Sequence, residues 1–302
     1  MRKRRLGLVL SVVAVVTLLA TLALVVDLTS VEATYDKGKP PTKTPRPTDT
    51  PVPTNTPGPT PTPGNWWVPP QRTTWQWQLT GLPVDQSYDV DMYDIDIFDN
   101  DASVVASLHA QGRKVIGYFS AGSWEDWRPD ADQFPPEVLG NDNGWPGEKW
   151  LDIRRLDVLG PIMEARMDLA AQKGFDGVEP DNVDGYSNKT GFPLTYQDQL
   201  NYNIFLANAA HERGLSVALK NDIEQIVDLE PYFDWALNEQ CFEYRECDWP
   251  NGGLLNFINA GKAVMNVEYK LRTIKFCPQA NAWNFNSMKK NLDLDAWMEP
   301  CW

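Results

Sequence analysis

Histidine is almost missing from these 302 residues, with only His109 and His211, and cysteine is limited to Cys241, Cys247, Cys277 and Cys301. The cysteines fit no zinc spacing and neither histidine belongs to an H-E-x-x-H pair, so zinc-protease chemistry lacks its ligands. The chain also has no G-x-S-x-G nucleophile elbow and no Gly-rich phosphate loop, which removes serine-hydrolase and kinase chemistry. Neither a metal nor a cofactor is expected. Four cysteines, an even number gathered late in the chain, read as two disulfides in an oxidising compartment. Three pairings are open, and adjacency favours Cys241 with Cys247 and Cys277 with Cys301.

Basic residues are scarce once the start of the chain is set aside. Residues 1–64 hold 8 of the 27 Lys and Arg but 4 of the 41 Asp and Glu, leaving 19 basic against 37 acidic side chains downstream. A domain so acidic repels nucleic acid and draws polycations toward it. The start itself carries Arg2, Lys3, Arg4 and Arg5, then an uncharged apolar run from Leu6 to Val26. That is an export signal, either cleaved near Val31-Glu32-Ala33 or kept as an anchor. Residues 1–33 therefore read as signal peptide or membrane anchor, with the remainder outside the cytoplasm, secreted or tethered by residues 6–26. Residues 34–64 are Pro and Thr in near alternation, a spacer with nothing to bury.

The 238 residues from Asn65 to Trp302 approach the roughly 250 of an eight-fold β/α barrel. Strands are expected at Thr73 to Leu79, Val90 to Phe98, "KVIGYFSAG", the stretch ending "GVEPD", "LSVALKN", "FDWALNEQ", "KAVMNVEY" and, least distinctly, Phe285 to Met288. Helices are expected at Ala102 to Gln111, Arg154 to Lys173, Gln197 to Arg213, near Ile223 to Leu229 and near Gly253 to Ala260. Alternating strands and helices imply a parallel sheet, so the fold class is α/β, a (β/α)8 TIM-type barrel in a single domain, residues 65–302. Helical spacing puts Ile162, Ala165, Arg166, Leu169 and Ala170 on one face, with Gly174 as the stop. Trp75, Trp77 and Leu79 alternate with Gln76 and Gln78, and the indoles read as packing rather than as a ligand platform.

In such a barrel the reactive groups stand at the C-terminal strand ends. Acids collect there: Asp94, Asp96 and Asp99, then Glu179, Asp181 and Asp184, then Glu239, then Glu268. Three explanations compete. A calcium loop is suggested by D-N-V-D but lacks the D-x-D-x-D-G register and distant Glu. A salt-bridge network centred on Lys220 accounts for Asp176 and Glu179 but poorly for acids at separate strand ends. Glycoside hydrolysis needs two carboxyl groups from opposite sides of one bond, which separate strand ends supply.

The string "GFDGVEPDNVDGY", with "GFPLTYQDQLNYNIFLANAAHERGLSVALKN", "FDWALNEQCFEYRECD", "WQWQL", "YDIDIFD" and "IGYFSAGSWEDWRPD", resembles the endo-α-1,4-polygalactosaminidase family, glycoside hydrolase family 114. The resemblance implies a barrel that cleaves within α-1,4-linked galactosamine-containing polysaccharide. It places the catalytic Asp at Asp181 and the catalytic Glu at Glu239, with Asp181 as nucleophile or base and Glu239 as general acid. Asp184 is the rival of Asp181. Expected substrate contacts are Asp96, Tyr118, Glu125, Arg128, Asn182, Asp184, Lys220, Asn221 and Tyr269, although Arg128 and Lys220 serve equally well as carboxylate holders. The expected partner is a cationic galactosamine-containing polysaccharide, acted on by a monomer, with no nucleic acid and no membrane contact beyond the leader. The competing readings are a non-catalytic carbohydrate-binding barrel at the cell surface and a glycosidase for another α-linked sugar.

Overall fold

A computed structural model describes Gly64 and residues 66–302; the leader and all of the spacer but its last residue lie outside the described residues. In chain order the elements are β1 (Trp75–Gln78), β2 (Met92–Asp96), α1 (Ala102–Ala110), β3 (Lys114–Ser120), β4 (Ser123–Glu125), β5 (Leu139–Asp142) and β6 (Glu148–Leu151). They continue with α2 (Leu156–Lys173), β7 (Gly177–Asp181), α3 (Tyr196–Glu212), β8 (Ser216–Lys220), α4 (Ile226–Leu229) and β9 (Trp235–Glu239). The last are α5 (Cys241–Tyr244), α6 (Leu255–Asn259), β10 (Val264–Glu268), α7 (Thr273–Ala282), β11 (Asn286–Lys290) and β12 (Met298–Pro300).

Eight strands pair in parallel in the order β1-β2-β3-β7-β8-β9-β10-β11, and β12 adds antiparallel to β11. This is a TIM-type (β/α)8 barrel. The period of two in each strand sorts its side chains into two cores. Trp75, Trp77, Met92, Ile116, Ala218, Trp235, Leu237, Met265, Val267 and Met288 pack together in the lumen. The alternate residues Tyr93, Ile95, Val115, Phe119, Val178, Val217 and Leu219 pack outward under the helices. Trp75 and Trp77 are indeed packing residues, with 4% and 1% of their surface exposed.

The barrel closes at its seam through side chains and loops. Trp75 Nε1 donates to the Asn286 carbonyl at 2.8 Å, Leu79 N to the Leu294 carbonyl at 2.9 Å, and Lys290 Nζ to Gln76 Oε1 at 2.8 Å and the Asp295 carbonyl at 2.6 Å. Burial pulls Lys290 down to about 7, against the opposing pull of Asp295 and Asp293. Lys290→Met leaves one buried and one partly buried acceptor without a donor and is expected to cost about 1–3 kcal/mol of stability. Chemical denaturation checks this; an unmoved midpoint would show that the seam does not depend on Lys290. The disulfide Cys277–Cys301 ties α7 to the end of the chain just beyond β12, and Cys241–Cys247 closes a short loop after β9.

Helix α3 starts with a reciprocal capping box. Thr195 Oγ1 accepts from Asp198 N at 3.1 Å, and Asp198 Oδ2 accepts from Thr195 N at 2.8 Å. Helix α2 stops where Gly174 takes φ 91°, a conformation that costs glycine little. The expected buried face of α2 needs one correction, because Ala165 is exposed while Met163 and Met167 are buried. Arg166 is buried for a polar reason: it bonds both oxygens of Asp130 and the Ser120 carbonyl.

Between β3 and β7 the chain builds an antiparallel sheet, β4-β6-β5, beside the C-terminal ends of the strands. Its approach to the barrel depends on Gly122. Ala121 N and Gly122 N donate to the Asp181 carbonyl at 2.8 and 3.0 Å, and a Cβ on Gly122 would fall 1.7 Å from the Asn182 carbonyl oxygen. Any side chain there would push the sheet off the rim.

Candidate active site

The last inward positions of β7, β8 and β9 are Asp181, Lys220 and Glu239, and they meet at the rim. Lys220 Nζ lies 2.9 Å from Asp181 Oδ1, 3.3 Å from Glu239 Oε2 and 3.1 Å from Glu179 Oε1. Its underside rests on Trp77, with Nζ 4.7 Å from the ring centroid. Burial opposes the charge on Lys220, but Asp181, Glu179 and Glu239 outweigh it and raise its pKa well above the ordinary lysine value. The group is a fixed ammonium.

Each facing carboxylate has further donors. Tyr118 Oη donates to Asp181 Oδ2 at 3.2 Å. Asn221 Nδ2 donates to Glu239 Oε2 at 3.1 Å, and Tyr269 Oη donates to Glu239 Oε1. Asn221 is itself held by Glu239 N and Asn238 Nδ2, both donating to its Oδ1. Burial first, then the neighbouring carboxylates, raises both Tyr118 and Tyr269 well above the ordinary phenol value, so both remain proton donors. Asn221 and Asn182 follow their strands at φ 51° and 61°, left-handed conformations that asparagine tolerates better than most residues. That backbone turns each away from its strand at the rim.

Asp94 and Glu179 occupy the layer beneath, each with no exposed surface. None of their four carboxyl oxygens has a hydrogen-bond partner among the described residues, although Lys220 Nζ stands 3.1 Å from Glu179 Oε1. Burial raises the pKa of each; for Asp94 the Glu179 carboxyl and Lys220 oppose the rise while Asp181 and Asp96 add to it, and for Glu179 Lys220 opposes it while Asp94 and Asp181 add to it.

The other expected site residues divide. Asp96, Glu125 and Arg128 form a closed cluster beside the rim. Arg128 Nε and Nη2 bond the two Glu125 oxygens at 2.8 and 2.7 Å, and Nη2 bonds Asp96 Oδ2 at 2.6 Å. Asp96 Oδ1 also accepts from Phe98 N and Asp99 N, fixing the turn after β2. Asn182 turns toward β4, donating to Ser120 Oγ at 2.9 Å and Ser123 Oγ at 3.3 Å. Asp184 lies beyond Asn182, where its charge helps to raise the buried Asp222; burial is the larger cause. Asp176 belongs to the opposite end of the strand, bonding Lys114 Nζ, His109 and Val115 N. Glu268 points outward to receive Phe242 N at 2.9 Å. So the run of acids around β7 serves three levels: anchor, buried pair and rim.

Sequence reasoning missed Glu148. It lies on β6, where Ser123 Oγ and Asn143 Nδ2 donate to its Oε2 at 2.8 and 2.6 Å. Burial, reinforced by Glu125 and Asp181, pushes it up to about 7 despite those two donors. Glu148 and Trp150 share one face of β6 and Lys149 and Leu151 the other, so each face mixes a charged with an apolar residue and the strand carries no period-two signal.

A β/α barrel whose acids converge at the C-terminal rim around one buried lysine defines a class, a barrel glycoside hydrolase. Residues 56–302 match the model of glycoside-hydrolase family GH114, and the chain belongs to that family. Among solved structures it is similar to Ega3 of Aspergillus fumigatus in complex with galactosamine, at 43% identity and TM-score 0.73, covering 79% of this chain and 100% of that one. It also shares its fold with the glycoside hydrolase domain of PelA from Pseudomonas aeruginosa, at 13% identity and TM-score 0.58, covering 76% and 98%. No curated protein matches the chain.

Proposed function

We propose that the protein is an exported, endo-acting hydrolase of α-1,4-linked galactosamine-containing polysaccharide, with Asp181 as nucleophile and Glu239 as acid and base. The observation that carries this is the position of Lys220 Nζ, 2.9 Å from Asp181 and 3.3 Å from Glu239. Two oxygens that touch one nitrogen can be no further apart than the sum of those distances, a close approach that favours a retaining pair, whose carboxyl groups stand about 5 to 5.5 Å apart. The galactosamine-bound relative and the acidic composition support the choice of sugar.

In the first step Asp181 attacks the anomeric carbon from the face opposite the leaving oxygen, forming a β-linked glycosyl ester. Glu239 gives its proton to that oxygen as the glycosidic bond breaks. In the second, Glu239 takes a proton from water, whose oxygen attacks the same carbon and releases Asp181. Net configuration is retained. Lys220 and Tyr118 hold Asp181 in line, while Tyr269 and Asn221 aim Glu239. Endo action follows the family resemblance and yields fragments of mixed length. Delivery outside the cytoplasm rests on residues 1–33, and a monomer suffices because both carboxyls come from one chain.

The test is release of new reducing ends from partly deacetylated α-1,4-galactosamine polymer, with an α-1,4-glucan alongside. Oligosaccharides of mixed length from the first polymer alone are expected. Binding without cleavage would replace the enzyme reading with that of a carbohydrate-binding barrel, and equal cleavage of the glucan would overturn the substrate.

A further inference from the structure

Glu148 takes no part in that mechanism, yet it stands at the same mouth. It lies directly opposite Glu125 in the antiparallel register of β4 and β6. Residues so paired share a face, and two like charges there destabilise the pairing. The structure treats them differently. Both Glu125 oxygens are bonded by Arg128, whereas Glu148 meets only the neutral donors Ser123 and Asn143, with no cation at ion-pair distance among the described residues.

Those donors both take Oε2. Glu148 Oε1 has no protein donor among the described residues, and it is not sealed in the interior. The carboxyl is thus oriented by one oxygen and open at the other. Its nearness to the reacting groups follows from Ser123, whose Oγ donates to Glu148 Oε2, and from Tyr118, which bonds Asp181 and whose pKa is raised by burial first and then by Asp181, Glu125 and Glu148. Ser123 extends the link, since its Oγ contacts Ser120 Oγ at 2.6 Å and receives Asn182 Nδ2, the residue after Asp181. An oriented carboxyl with acid neighbours and no counter-ion of its own suits a cation that arrives with the substrate.

We propose that Glu148 is a specificity residue, its Oε1 accepting the ammonium of a galactosamine unit bound beside Asp181 and Glu239; this rests on the galactosaminidase reading above. An N-acetylated unit carries no charge there, so Glu148 distinguishes deacetylated from acetylated stretches of the polymer.

The test uses the whole protein and two probes, an α-1,4-linked galactosamine oligosaccharide and its fully N-acetylated counterpart, with calorimetric binding beside turnover. Glu148→Gln keeps an acceptor for Ser123 and Asn143 but removes the charge. It is expected to raise KM and Kd for the galactosamine probe about tenfold, with kcat and the acetylated probe changed by less than about twofold. Glu148→Asp should recover part of the loss, and thermal unfolding of both variants should follow wild type. Equal losses on both probes, or a fall in kcat alone, would overturn the proposal. If wild type binds the galactosamine probe without cutting it, the enzyme reading fails and the binding comparison still decides the role of Glu148. If wild type binds neither probe, both readings fall.

Discussion

Replacing Asp181 with Asn or Glu239 with Gln is expected to lower polymer hydrolysis by on the order of a thousand-fold or more while leaving the fold intact. Both exchanges preserve shape. Asp181→Asn retains an oxygen to face Lys220 or Tyr118, and Glu239→Gln retains one for Tyr269 or Asn221. What each loses is chemical: an amide neither forms a glycosyl ester nor supplies an acidic proton. The two variants are then separated by leaving group. An aryl galactosaminide departs without needing a proton, so Glu239→Gln should form the glycosyl-enzyme from it at a substantial rate and Asp181→Asn should not. If the pattern were reversed, the roles of the two carboxyls would be exchanged. Full activity in either variant would remove that residue from the mechanism.

The second large effect concerns the lysine. Lys220→Met is expected to cost about 3–5 kcal/mol near neutral pH, because it strips buried carboxylates of their shared counter-charge, and to abolish hydrolysis by letting Asp181 and Glu239 drift. The pH dependence has a definite sign. In wild type the raised pKa of Lys220 means its stabilisation is fully present below the ordinary lysine value of 10.5 and is lost only as pH climbs through the raised one. Asp94 and Glu179 already have raised values in the folded state, so their contribution is fully present below their ordinary values of 3.8 and 4.5. It is lost as pH rises through the raised values. Without Lys220 those values rise further. The gap in Tm between variant and wild type should therefore be widest at neutral and alkaline pH and should narrow toward the ordinary carboxylate range. A gap independent of pH would mean that Lys220 matters through packing on Trp77 alone.

Much of this was legible in the chain because barrels obey simple periodicities. The alternation of Trp75 and Trp77 with Gln76 and Gln78 marks lumen against outer face. The rule that chemistry stands at C-terminal strand ends leads to Asp181, Lys220 and Glu239 without any coordinates. The same rule could not separate levels within one strand, so Asp176 at the start, Glu179 in the buried layer and Asp181 at the rim read as one acidic cluster. It also could not show that Arg128 is consumed by Glu125 and Asp96, since that depends on a turn bringing Glu125 and Arg128 back over β2. Helix α7 was hidden by Pro278, a residue that ordinarily argues against helix interior but here sits beside Cys277, which is tied to the chain's end. Glu148 was hidden for a third reason: β4 to β6 are short strands inserted between barrel elements, and nothing in their pattern announces the face they turn to the mouth.

The most direct test of the carboxylate-pair account is a proton NMR time course of cleavage of the galactosamine polymer, read at the anomeric position before mutarotation scrambles it. The α-anomer should appear first, because two displacements at one carbon restore its configuration. Initial appearance of the β-anomer would mean a single displacement by water, and would contradict the assignment of Asp181 as a nucleophile held close to Glu239 by Lys220.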